Sequence, residues 1–269
     1  MKYIDLHNYL KKIVNYENKE IVIDEKIIVQ NYNFESAYRF LLPGGTGNQD
    51  SYEYCTAADP DYEPDIIQSM INKCDAEIME NIKFRYHLFR PKGDNKVNHV
   101  ILLFHGFNEK YWAKYLTWAK TLVEETGKAV LLFPIAFHMN RAPLSWSDSR
   151  QMFAISQQRK ERHPDVLFST LSNVAISTRL HNKPQRFIWS GLQTYYDVID
   201  LVEQIKAGLH PAIEKDASID FFSYSIGSFL SEILMMTNKD GYFSESKLCM
   251  FCGGAVFYRL SPESKFILD

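Results

Sequence analysis

Ser225 stands in the run Asp220-Phe221-Phe222-Ser223-Tyr224-Ser225-Ile226-Gly227-Ser228-Phe229-Leu230, where an aromatic stretch meets small residues and then an apolar-periodic segment. The pattern reads as strand, sharp turn, helix. Such a turn pushes the serine side chain out of the fold. It also sets the next backbone N–H, that of Ile226, at a helix N-terminus, where it can stabilise a developing oxyanion. The chemistry this suits is nucleophilic attack on an acyl carbon. A plain strand-to-helix turn favours small residues too, so the motif needs support from elsewhere in the chain.

That support lies upstream. The apolar run Val100-Ile101-Leu102-Leu103-Phe104 is followed at once by His105-Gly106-Phe107-Asn108. A His-Gly turn at a strand end can aim the Phe107 N–H back towards the serine, and Gly106 permits the close backbone approach. His105 is expected to orient this loop through hydrogen bonds. Together with Gly106 and Tyr224 it would form the rim that faces a substrate. A serine hydroxyl is a poor nucleophile without a base beside it. All eight histidines (His7, His87, His99, His105, His138, His163, His181 and His210) precede Ser225, while acids follow it at Asp240, Glu245, Glu263 and Asp269. His138, just beyond a strand end, is the upstream histidine best placed to serve as base. A loop histidine held by hydrogen bonds is the simpler account of it.

Other chemistry-bearing residues have plainer readings beside the functional ones. Arg141 and Trp146, the latter in Ser145-Trp146-Ser147-Asp148-Ser149, would line a substrate pocket or belong to an ordinary polar loop. Arg159, Lys160 and Arg162 read as a solvated face. Phe187, Trp189, Tyr195 and Tyr196 are expected in the core, with an apolar acyl pocket as the alternative. Cys249 and Cys252 match C-x-x-C inside an apparent buried strand. Residues three apart on a strand point to opposite faces, so neither a bridge nor a metal site is expected, and both thiols are assigned to core packing. The sequence calls for no metal and no cofactor.

The elements that must position these residues alternate in type. Ile4, Leu10, Ile13 and Val14 predict a short amphipathic helix, and Ile21–Ile23 with Ile27–Val29 a pair of short strands. Pro43-Gly44-Gly45-Thr46-Gly47 lacks the Lys-Ser/Thr of a phosphate-binding loop and is expected to be a plain loop. Residues 57–64 read as turns and 65–80 as a helix. Residues 82–89 alternate as an outer antiparallel strand would. Continuous apolar strands are predicted at 100–104 and 129–133, since strands covered on both faces lose their alternation. Helices fall at about 109–126, with Gly127 as terminator, and at 192–205, closed by Gly208. Strand 218–222, the serine turn, a helix from Ile226 and a strand at 247–258 follow. This order predicts an α/β fold, a mostly parallel central sheet with helices on both faces. Residues 1–80 form an N-terminal extension to a core of 81–269, which carries a cap-like insertion at about 140–186.

At 269 residues, 46% hydrophobic and 14% aromatic, the chain can bury a large core. A net charge of −3 without a basic stripe excludes a nucleic-acid partner. No stretch reaches the eighteen or more apolar residues of a membrane span, and the N-terminus lacks the apolar core of a signal peptide, so a cytoplasmic protein is expected.

With His105-Gly106-Phe107 and Ser223-Tyr224-Ser225-Ile226-Gly227 in this order, residues 81–258 resemble the α/β-hydrolase superfamily. The resemblance implies Ser225 as nucleophile, the N–H groups of Phe107 and Ile226 as oxyanion hole, and an esterase-like activity on an ester, thioester or similar small acyl substrate. Ser223 replaces the first glycine of G-x-S-x-G, a mild departure. The larger one is the absence of a histidine after the serine, where the superfamily carries its acid and base. Three accounts remain open. The sheet stops about two strands short of the superfamily pattern, and the missing residues would lie beyond it; or His138 substitutes; or the fold serves as a catalytically silent binding or assembly module. The apolar edge at 247–258 would then be open to self-association.

Overall fold

The computed structural model describes residues 2–39, 75–93, 95–162 and 185–254, with Pro164, Leu171 and Arg259 as single positions. The loop expected at 43–47, the turns at 57–64, most of the helix at 65–80, residues 255–258, Cys55, Cys74, His163, His181, Glu263 and Asp269 lie outside them.

The chain opens with helix α1 (Tyr3–Ile13) and the hairpin β1 (Glu20–Val22) and β2 (Ile27–Glu35). A single helical turn, Met79–Ile82, leads into β3 (Lys83–Pro91). Next come β4 (Val97–Phe104), α2 (Ala113–Thr126), β5 (Ala129–Leu132), α3 (Ser149–Arg162) and α4 (Gln185–Lys206). The last described elements are β6 (Ile213–Tyr224), α5 (Ile226–Thr237) and β7 (Leu248–Phe251).

Among the described residues the strands form one seven-stranded sheet in the order β1-β2-β3-β5-β4-β6-β7. The half made of β5, β4, β6 and β7 is parallel, and the β1, β2 and β3 half joins it antiparallel. The architecture is α/β, and its sheet is mixed because the hairpin of the front section extends it. β3 is not an outer strand: β2 pairs with it from Ile27↔Pro91 to Glu35↔Lys83 and takes the outer side.

The continuous apolar run of β4 is explained by helices on both faces. Val100, Leu102 and Phe104 pack with Ile199 and Val202 of α4 and Leu230 and Leu234 of α5. Ile101 and Leu103 point the other way, to Leu10 of α1 and Leu116 and Ala119 of α2. Each such side chain, fully buried, contributes about 1.5–3 kcal/mol relative to exposure. Gly127 ends α2 as expected, with φ 67° and its N–H on Val123 O at 2.9 Å, a left-handed closure that a side chain would strain. No helix among the described residues is long and apolar enough to cross a membrane.

Two expectations fail at the far edge and one beside the site. Of the strand expected at 247–258, the described part pairs at Leu248–Phe251, with β6 on one side, and three of these four residues are exposed. An apolar run suits an interior strand, but among the described residues nothing pairs with the outer side of β7. Cys249 and Cys252 are therefore exposed free thiols and not core residues. Glu109 and Lys110 do not open a helix either, since α2 begins at Ala113.

Candidate active site

Strand register brings the two motifs together. Phe104, the last residue of β4, sits opposite Ser223 of the parallel neighbour β6. The His105-Gly106 turn and the serine turn thus leave adjacent strands at their carboxyl ends, the position where open α/β sheets bind ligands.

Ser225 occupies the junction of β6 and α5 with φ 55° and ψ −121°, a conformation that costs a non-glycine residue about 1–3 kcal/mol. It is held there from both sides. Its N–H donates to Phe251 O at 3.1 Å, and its carbonyl accepts from Ser228 N at 2.9 Å in the first turn of α5. The side chain is half-buried, and its hydroxyl makes no hydrogen bond among the described residues. Gly227 lets the helix start press against β4: a Cβ there would lie 2.7 Å from Phe104 Cβ and 2.8 Å from His105 O. Ser223, where a glycine is usual, is fully buried and its hydroxyl meets that of Ser231. Since Ser231 Oγ donates to Gly227 O, Ser223 is the donor in that pair and its hydroxyl is satisfied.

The facing loop is fixed by a chain of hydrogen bonds that nothing in the sequence announces. Gly106 N donates to Tyr115 Oη at 2.8 Å, and Tyr115 Oη donates to Glu109 Oε1 at 3.0 Å. Glu109 is ion-paired with Lys114, whose Nζ lies 4.2 Å from the centre of the Tyr224 ring. That ring covers Gly106 so closely that a Cβ there would fall 2.8 Å from it. Tyr224 therefore packs into this support cluster, with Trp118 and Phe251, and is not among the residues lining the large cavity. Burial holds the Tyr115 phenol far above its usual range, so it stays a donor.

His105 is 0% exposed and both ring nitrogens are used. Nδ1 is 2.8 Å from Gly106 O and Nε2 accepts from Ile135 N at 2.9 Å, which fixes the Nδ1–H tautomer. Burial, with the neighbouring His138 adding to it, holds its pKa well below the usual imidazole range. His105 joins two loops and cannot face a substrate. Arg141 is also 0% exposed. It pairs with Asp197 Oδ2 at 2.7 Å, donates to Asn81 Oδ1 and Pro134 O, and lies 3.9 Å from the centre of the Phe84 ring. It ties α4 to the turn before β3, and the pocket role expected of it is excluded by its burial.

His138 is a buried loop histidine. Its ring centre is 5.3 Å from that of His105 and 5.7 Å from that of Phe107. Nδ1 lies 2.9 Å from Ala136 O, so the neutral ring carries its proton there and Nε2 is the acceptor nitrogen. The downstream acids Asp240 and Glu245 are exposed beyond the far end of α5, a helix of 12 residues that is about 18 Å long. They stand away from Ser225.

A cavity of about 510 Å³ opens beside the elbow. Phe107, Ile226, His138 and Trp146 are among its lining residues, and Ser225, next to Ile226 in the chain, is not. Phe187 and Tyr196, expected in the core, are among its lining residues, whereas Trp189 is buried beneath. Phe229, Ile233 and Thr237 come from one face of α5, a stripe whose i, i+4 spacing was legible but which carries no chemical signature. Among the described residues no three His, Cys, Asp or Glu side chains gather as metal ligands.

A family model described as a family of unknown function (DUF6051) matches residues 1–269, and the chain belongs to that family. No curated protein matches it. Among solved structures it is similar to the esterase Est22, at 13% identity over 96% of this chain and 53% of that one, with a TM-score of 0.43. It is also similar to a cold-adapted esterase from an Arctic intertidal metagenomic library, at 10% identity over 84% and 62%, with a TM-score of 0.39. An esterase of Pyrobaculum calidifontis gives 10% identity over 72% and 54%, with a TM-score of 0.34. The chain spans less than two thirds of the length of each. These likenesses are distant and decide neither substrate nor reaction.

Proposed function

We propose that the chain is an α/β-hydrolase-type serine hydrolase that cleaves an ester, thioester or similar acyl bond, with Ser225 as nucleophile. One observation carries the reading: a serine held at φ 55° between a strand and a helix, its hydroxyl left unengaged among the described residues. In the reaction Ser225 Oγ adds to the carbonyl carbon. The negative oxygen that forms is met by the N–H groups of Phe107 and Ile226. The tetrahedral intermediate collapses by breaking the bond to the alcohol or thiol, which leaves with the proton taken from Ser225, and water then hydrolyses the acyl-serine to the free acid and restores the serine. Each preorganised donor of this kind is worth about a hundred- to a thousandfold in rate. The serine proton needs a base, and His138 is the candidate among the described residues, its Nδ1–H held by Ala136 O so that Nε2 is the basic atom.

A second reading, a catalytically silent binding module, is favoured by the fact that no histidine bonds Ser225 among the described residues. Fluorophosphonate labelling followed by intact mass separates the two. The hydrolase reading expects one label per chain, absent in Ser225→Ala and slowed at least tenfold in His138→Ala. A folded protein that takes no label overturns it in favour of the binding module. Unchanged labelling of His138→Ala removes His138 as base.

A further inference from the structure

The cavity beside Ser225 has a shape and a lining more specific than an ester bond requires. Its walls are α4, from Arg186 to Tyr196, and α5, from Ile226 to Thr237. At the helical rise both stretches run about 15–17 Å, so each can flank an extended chain along its length. Its about 510 Å³ lies within the range of small-molecule sites, and an acetyl group would leave nearly all of it empty.

The lining is mostly aliphatic and aromatic; Tyr195 and Tyr196 bring two hydroxyls to it, and the other polar members are engaged within the protein. Ser190 Oγ donates to Ala136 O at 2.8 Å, and His138 Nδ1 lies 2.9 Å from the same carbonyl. Thr237 Oγ1 donates back to Ile233 O within its own helix. Arg186 Nε meets Asp75 Oδ1 at 2.8 Å, so this cation of the cavity wall is matched by a buried carboxylate. A sugar would find only the Tyr195 and Tyr196 hydroxyls to meet its own, and every further hydroxyl would be desolvated at a cost. A free carboxylate would compete with Asp75. An apolar chain loses nothing and gains the burial.

We infer that this cavity is the acyl site for an extended alkyl or arylalkyl group of medium length, entering past Phe107 and Ile226 and lying between α4 and α5. The assignment rests on the hydrolase reading for its word acyl, though not for the apolar chain. Gly191 is the telling residue of the wall: within α4 it costs about 1 kcal/mol against alanine, and no described atom lies within 4 Å of where its Cβ would be. A larger side chain there would project into open space.

The test uses the full chain and p-nitrophenyl esters from acetate to decanoate. Equilibrium binding to Ser225→Ala, read by tryptophan fluorescence, should tighten about fourfold per methylene until the cavity is filled. The kcat/KM of the unaltered protein should climb in step. Gly191→Phe, checked for folding by circular dichroism, should move the preferred chain towards shorter esters and weaken octanoate-ester binding at least tenfold. Chain-length-independent binding, or Gly191→Phe without effect on the optimum, overturns the inference. If the protein labels with fluorophosphonate but shows no chain-length dependence, the cavity assignment falls and the hydrolase reading stands. Should chain-length-dependent binding occur in a protein that takes no label, the apolar-chain site stands and hydrolysis falls.

Discussion

Tyr115 illustrates how much of this site depends on residues that touch no substrate. Its hydroxyl stands between Gly106 N–H and Glu109, so the loop carrying the Phe107 N–H is fixed by one oxygen. In Tyr115→Phe the Gly106 N–H is left buried without a partner, which costs about 1–3 kcal/mol of stability. On the proposed hydrolase reading, kcat should fall about tenfold or more with KM little changed, because the loop would shift at the proposed oxyanion hole and not in the cavity. Steady-state kinetics decide it, and a KM effect alone would show that Tyr115 shapes the binding cavity instead. The turns that carry Ser225, His105 and Gly106 were legible in the sequence because their signals are local, a few residues at a strand end. Tyr115, Asn81 and Asp197 were not, since each acquires its role only when distant segments pack together. Arg141 misled for the same reason: in sequence it is a polar loop residue, and in the fold it is the centre of a buried ion pair.

At the scale of elements, the contact that aligns Ser225 with the His105–Phe107 loop is that of α5 with the end of β4. Gly227 makes it possible, and Gly227→Ala would put a methyl group 2.7 Å from Phe104 Cβ and 2.8 Å from a backbone oxygen that cannot move freely. We expect a loss of about 1–3 kcal/mol in urea denaturation. We also expect fluorophosphonate labelling of the folded fraction to slow, because the helix start must back away from the His105–Phe107 loop. Wild-type labelling with only a stability loss would mean that the elbow tolerates the shift. The strands and helices from 97 to 133 and from 192 to 237 followed their periodicity closely. β7 did not, because an apolar run specifies burial and says nothing about which strand supplies it.

For the molecule as a whole, the hairpin of residues 20–35 is part of the same sheet as the site, which short strands alone did not reveal. At the opposite edge Met250 and Phe251 are 49% and 48% exposed on β7. We expect the protein to self-associate through this edge, with a sedimentation coefficient that rises with concentration, and Met250→Lys to suppress it. A concentration-independent monomer would sink that expectation. Around the site the backbone is unusual as well: Asn108, Phe137, Met139 and Ser225 have φ of 56°, 64°, 49° and 55°. Glycine would sit more easily at each of these positions, yet none of them carries it. Selection for heat resistance in the laboratory would therefore be drawn to these four positions, and the variants that survive longest would be those whose working end has been relaxed away.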